Sequence, residues 1–183
     1  MTGATWNLSG ADGELRVKTG VTGPAAKAGH RLTIAMNGWH AAAHWIDAEP
    51  SSAELTVDVG SLEILHGEGG VTPPSAPEKA VARSNALKSL EAQRFPEIRF
   101  ETDDIAKTGD GYRLTGTLAI HGQRRECVID LRVDDLGDSW RMSCEAEIRQ
   151  TDFGVIPYSM LMGAMKVADP VTVSFTAHRA KDQ

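Results

Sequence analysis

Apolar side chains return at every second position through most of this chain. Over residues 30–40, Leu32, Ile34 and Met36 share one face against Arg31, Thr33 and Asn37. Ala53, Leu55, Val57 and Val59 alternate with Glu54, Thr56 and Asp58, and Ile98 and Phe100 alternate with Glu97, Arg99 and Glu101. The same period puts Tyr112, Leu114, Gly116, Leu118 and Ile120 on one face. It recurs in Cys127, Ile129, Leu131 and Val133, in Trp140, Met142, Cys144, Ala146 and Ile148, and in Val171, Val173, Phe175 and Ala177. Period two marks strands with one buried and one wet face. Residues 14–18 and 41–47 carry weaker versions of it. Gly109-Asp110-Gly111, His121-Gly122 and Leu136-Gly137-Asp138 place turn chemistry between successive runs. The pattern predicts a single all-β domain over residues 1–183, an antiparallel barrel of about eight strands.

Two segments leave the pattern. Residues 67–77 are rich in Gly and Pro and read as a loop. Residues 77–91 read as a helix that Pro77 opens, with Ala80, Ser84, Leu87 and Glu91 on one face, covering a barrel end. A second short helix is expected over residues 158–166. The stretches before His30 and around residues 72–77 are expected to be the mobile parts.

An eight-stranded barrel has interior space for side chains or for one small ligand. The inward positions here are slim and apolar: Leu32, Ile34, Met36, Leu55, Val57, Phe100, Leu114, Leu118, Met142, Val173 and Phe175. Gly116 and Ala146 on the same faces leave space. A dry, filled core and a ligand tunnel both remain open at this point. Met160, Met162 and Met165 are three of the chain's six methionines within six residues. Flexible thioethers adapt to irregular apolar ligands, so this segment is expected to close one end of a cavity. With Phe153 and Tyr158 it completes the candidate ligand-binding set.

Composition narrows the function classes. A formal net charge of -6, a pI near 5.5 and no concentrated basic stripe argue against nucleic acid. By the same token the chain is a poor candidate for binding an anionic membrane. The one compact basic pair, Arg124-Arg125, falls on a strand face that should be solvated. No run approaches the ~18 apolar residues of a membrane helix, and no leader is apparent in the first twenty residues, so a cytoplasmic location is expected. Cys127 and Cys144 lack CxxC spacing and are expected to be free, buried thiols. If Val133 faces Trp140 across the turn, the two cysteines sit diagonally, too far apart to bridge. The six histidines form no metal motif, and His40 and His44 are four apart on a strand. No nucleotide, nucleophile-elbow or cofactor signature is present. Thr151-Asp152-Phe153-Gly154 has none of the companions a kinase would need.

Several segments together resemble the YceI-like family. They are Arg94-Phe95-Pro96-Glu97-Ile98-Arg99-Phe100, Tyr112 to Gly122, Ile148 to Gly154, and Val167-Ala168-Asp169-Pro170-Val171. Val59-Gly60-Ser61-Leu62 fits the family's serine-containing strand end. The match runs in order from about His30 to Phe175. The resemblance implies a lipocalin-like, eight-stranded barrel that holds a polyisoprenoid or other long-chain amphiphile, in members that often form homodimers. The expected function is therefore lipid binding or carriage without catalysis, the polar head lying near His30, Tyr158 and His121. The rivals are an enzyme with a histidine base acting on a lipidic or quinone-like substrate, and a scaffold with a filled barrel.

Overall fold

The computed structural model describes residues 3–182. Strands β1 (Gly3–Ser9), β2 (Gly13–Lys18), β4 (His30–Met36), β5 (Trp39–Ile46), β6 (Glu49–Asp58) and β7 (Leu62–Gly69) precede one helix, α1 (Ala76–Ser89). Strands β8 (Glu97–Lys107), β9 (Gly111–Ile120), β10 (Gln123–Asp135), β11 (Ser139–Arg149) and β14 (Pro170–Ala180) follow it. These eleven strands form one antiparallel sheet in the order β1-β5-β6-β8-β9-β10-β11-β14-β2-β4-β7. The sheet curls on itself: Trp39 of β5 meets Phe175 of β14 edge-on at 5.1 Å, and Arg179 of β14 lies 4.6 Å over the Trp6 ring of β1. The barrel class is as the alternation predicts, with eleven strands in place of eight. Nine of them are the runs read from the period, and the two beyond those are β1, in a stretch expected to be mobile, and β7.

Two bulges explain why the period was cut short. Opposite β4, the partner of Thr33 is His66 and that of Ile34 is Ile64, so Leu65 is an extra residue in β7. On β8, the partners of Glu101 and Asp104 are Thr117 and Thr115, so three steps face two. A bulge flips the alternation beyond it: Thr102 is the last inward residue in phase with Phe100, and beyond it Ile105, opposite Leu114, turns inward in place of Asp104.

Helix α1 begins with a capping box. Ser75 Oγ accepts from Glu78 N–H at 3.3 Å and donates to Glu78 Oε1 at 3.2 Å. The helix lies where expected, but its predicted face does not. Ala80, Ser84 and Glu91 are exposed, whereas Ala82, Ala86, Leu87 and Leu90 pack on the core. Arg83 fixes the helix beside β7, donating through Nε to Leu62 O (2.8 Å) and through Nη2 to Gly60 O (2.7 Å).

The helix expected over residues 158–166 is reduced to a single irregular 3-10 turn over Leu161–Gly163. Around that turn β12 (Ser159–Met160) and β13 (Met165–Val167) form a hairpin, and β13 pairs with β3 (Val21–Thr22) to give a second, three-stranded sheet. Leu161 and Met162 adopt positive φ (53° and 55°), which a continuous helix forbids. Pairing with β3 has overridden the helical propensity of Met, Leu, Ala and Lys.

The β10–β11 register also differs from expectation. Val133 faces Met142, and Asp135 faces Trp140. The turn is tighter than assumed. Leu136 N–H donates to Ser139 O (3.0 Å), Asp135 Oδ1 accepts from Gly137 N–H (2.9 Å), and Gly137 has φ 95°. The β10–β11 ladder ends at Arg132 and Ser143, while Cys127 pairs with Gly116 and Cys144 with Phe175 on the flanking strands. Both thiols are free.

Candidate ligand-binding cavity

The inward faces enclose a cavity of about 850 Å³, within the range of small-molecule sites. The barrel is hollow because its inward positions are small. Ala41, Ala53, Ala146, Val57 and Val173 line it, and Trp6, Phe100, Phe153, Tyr158 and Phe175 are its aromatic lining residues. Its floor is a close-packed cluster in which Leu8, Leu15, Ile34, Met36, Val57, Leu62, Ile64 and Met142 are buried. Gly116 does not contribute open space as expected. A Cβ there would fall 2.3 Å from Glu101 O and 2.8 Å from the Phe100 ring, so the glycine is required by the close approach of the bulged β8.

Nearly all the predicted positions converge on this space. Leu32, Ile34 and Met36 come from β4, Leu55 and Val57 from β6, Phe100 from β8, and Leu114 and Leu118 from β9. Met142 comes from β11, and Val173 and Phe175 from β14. Phe153, Tyr158, Met160 and Met165 add the segment after β11. Met162 is the exception: it is fully exposed and lies outside the lining, because the positive-φ turn throws its side chain outward. Sequence reasoning missed the contribution of α1. Ala82, Ala86 and Leu90 face the cavity at a spacing of four, a stripe of small residues too weakly apolar to stand out.

Helix α1 closes the open end like a strap, anchored by Arg83 on one side. At its far end the Glu91 carboxylate pairs with His121 Nε2, while His121 Nδ1–H donates to Phe153 O at 3.3 Å. Phe95 packs edge-on against the same imidazole at 5.0 Å. His121 is thus committed to the strap and stands outside the lining, unlike His30 and Tyr158, which lie on the rim. His30 Nε2–H donates to Thr72 O at 2.6 Å. Phe153 is held in place by a clamp: Asp169 accepts from Thr151 N–H (2.8 Å) and Oγ1–H (2.6 Å). Those bonds, with Arg149 nearby, hold the Asp169 carboxyl below its ordinary range. Asp152 is exposed, and its backbone carbonyl accepts from Arg125 Nε.

Most of the lining is apolar; Cys127 and Cys144 belong to the strand walls, and His30, Glu54, Glu78, Lys79, Tyr158 and Lys166 are its other titratable residues. Burial pushes the Cys127 thiol up; burial first, then the neighbouring Cys127, pushes Cys144 up to about 11. Both shifts favour the neutral thiol over the thiolate. Among the described residues no group of three or more His, Cys, Asp or Glu converges as a metal site. No helix among them is long and apolar enough to cross a membrane.

Residues 9–178 match the family model of the YceI-like domain. A UPF0312 protein of Serratia proteamaculans is 25% identical over 118 residues, 60% of this chain. The match spans about half (54%) of that relative's length. The crystal structure of Burkholderia cenocepacia BcnA superposes with a TM-score of 0.71 at 18% identity, covering 94% of this chain and 99% of that one. A Campylobacter jejuni YCEI protein structure superposes with a TM-score of 0.55 at 13% identity, covering 91% of this chain and 82% of that one.

Proposed function

The chain belongs to the YceI-like family, and from that premise we propose that it binds or carries a long-chain amphiphile, polyisoprenoid in type, within the barrel. The observation that carries this reading is the apolar cavity of about 850 Å³ under the α1 strap. An apolar tail placed there is stabilised by roughly 25 cal/mol per Å² of apolar surface removed from water. His30 and Tyr158 at the rim are the groups we assign to a polar head. Slim, unspecialised walls discriminate weakly between tails, so the ligand is a class of molecules rather than one compound.

Binding without catalysis is the reading we favour. Of the six histidines only His30 lines the cavity, and its Nε2–H is occupied by Thr72 O. That bond leaves Nδ1 as the basic nitrogen, and among the described residues no carboxylate is hydrogen-bonded to the ring to orient it as a general base. Two free thiols suit a reducing compartment, and the cytoplasm is the location we propose.

The test is a fluorescence titration with N-phenylnaphthylamine, followed by displacement with polyprenols, long-chain alcohols and short-chain alcohols. The proposal expects a bound, bright probe that long chains displace and short chains do not. A probe that stays dark, or that polyprenols leave in place, overturns it.

A further inference from the structure

The net charge of -6 conceals a segregation of charge. Residues 19–31, 69–77 and 153–168 contain Lys27, Arg31 and Lys166 and not one Asp or Glu, in a chain that holds 25 acidic residues. These three segments are far apart in sequence, yet the fold gathers them at one end. Val21 and Thr22 pair with Val167 and Lys166, and Ala25 N–H donates to Ala164 O at 2.8 Å. His30 bonds Thr72 O, which ties the third segment to the other two.

The same end carries the most exposed large apolar side chains among the described residues. Val71 is 90% exposed, Ile156 80% and Leu161 61%, and Met162 stands fully in solvent. Leu161 and Met162 are held outward by left-handed backbone, a conformation that both L-residues adopt at a conformational cost. Apolar side chains grouped at one end mark a contact surface. Behind this tip the chain turns straight into the cavity wall: Tyr158, Met160, Met165 and Lys166 all line the cavity. Four acids flank these segments directly in sequence, Glu68, Glu78, Asp152 and Asp169, and Asp169 is bonded by Thr151 and lies 3.6 Å from Arg149. Glu68 of β7 lies 4.0 Å from Arg31, and Glu78, beside Lys79, sits in the capping box of α1.

We propose that this end is a docking face for an anionic lipid bilayer, through which the amphiphile passes between membrane and cavity. The inference rests on the lipid-binding reading above and adds the route. Leu161, Met162 and Ile156 would enter the interfacial layer, Lys27 and Lys166 would meet anionic headgroups, and the rim would open onto the acyl chains. A bilayer fits better than a protein partner because the exposed tip leads directly into an apolar, ligand-sized space.

The test uses the intact chain and vesicles of phosphatidylcholine, alone or mixed with phosphatidylglycerol. Co-sedimentation with the mixed vesicles is expected, weakening as salt rises, with little on phosphatidylcholine alone. The double change Leu161→Asp and Met162→Asp, outside the cavity, should lower vesicle binding at least about tenfold. It should also slow transfer of N-phenylnaphthylamine from vesicle to protein while leaving equilibrium binding from solution unchanged. Val128→Asp, half-exposed elsewhere on the barrel, should alter neither. Wild-type protein that ignores anionic vesicles, or a double variant that binds them as well as wild type, overturns the proposal. So does a dimer in solution that the double variant abolishes while vesicle binding is nil, which would give the face to a second copy. Loss of probe binding from solution in the wild type would refute the cavity reading instead.

Discussion

If Cys144 faces an enclosed apolar space, its thiol is a reporter for that space. Burial raises it from 9.0 to about 11, with Cys127 as the smaller cause. Two pKa units lower the thiolate population about a hundredfold at any pH below 9. The Cys127→Ala variant removes the smaller cause and leaves the larger. Alkylation of Cys144 in that variant by iodoacetamide, followed by mass spectrometry from pH 7 to pH 11, should then be of the order of a hundredfold slower than in the same protein in urea. A long-chain ligand that expels cavity water should slow it further. The same shift has a sign for stability. The folded state holds the proton more tightly than the unfolded state, so this stabilisation is complete below about pH 9. It is lost as pH rises toward 11, to the extent of about 2–3 kcal/mol. Native alkylation within a few-fold of the urea rate, or a midpoint at the ordinary thiol value, would refute the enclosure of Cys144 and with it the walls of the cavity.

Ala146→Trp should fill the space between Cys144 and Ile148 and abolish N-phenylnaphthylamine binding, while the thermal midpoint stays near wild type because room for the ring already exists; a retained probe signal in the folded variant would count against the cavity. Ile34→Ala, in the packed floor, should lower urea stability by about 2–5 kcal/mol, and a loss under about 1 kcal/mol would mean that the floor is not close-packed. Glu91→Gln should release the end of the α1 strap and speed probe dissociation in stopped flow. Its equilibrium stability should change by less than about 1 kcal/mol, as befits a partly exposed pair; an unaltered dissociation rate would separate the strap from gating.

The barrel and most of its inner wall were legible because period two is a local signal that survives wherever a strand is regular. Leu32, Leu55, Leu114, Leu118 and Phe175 follow from it directly. The signal failed where one residue is inserted, at Leu65 and between Glu101 and Asp104, because a bulge reverses the phase and hides the rest of the strand. It failed again at residues 158–166, where good helix formers are drawn into a hairpin by β3, a partner more than 130 residues away. Turn geometry is finer than the period: the β10–β11 register moved by two residues while the inward face stayed the same. The strap was visible as a helix, but its orientation depends on Arg83 reaching the carbonyls of Gly60 and Leu62, which no periodicity encodes. Whole-chain charge pointed away from membranes, since it averages over an acid-free end assembled from three distant segments.

The central claim is that the barrel holds a long-chain amphiphile. Native mass spectrometry of the protein purified without detergent, with organic extraction of the same sample, tests it most directly. The account predicts a ligand-bound species carrying one long-chain, apolar molecule per chain, recovered in the extract and absent from the Ala146→Trp variant. A wild-type protein of ligand-free mass whose extract holds no long-chain species, and which takes up none on incubation with a polyprenol, would contradict it.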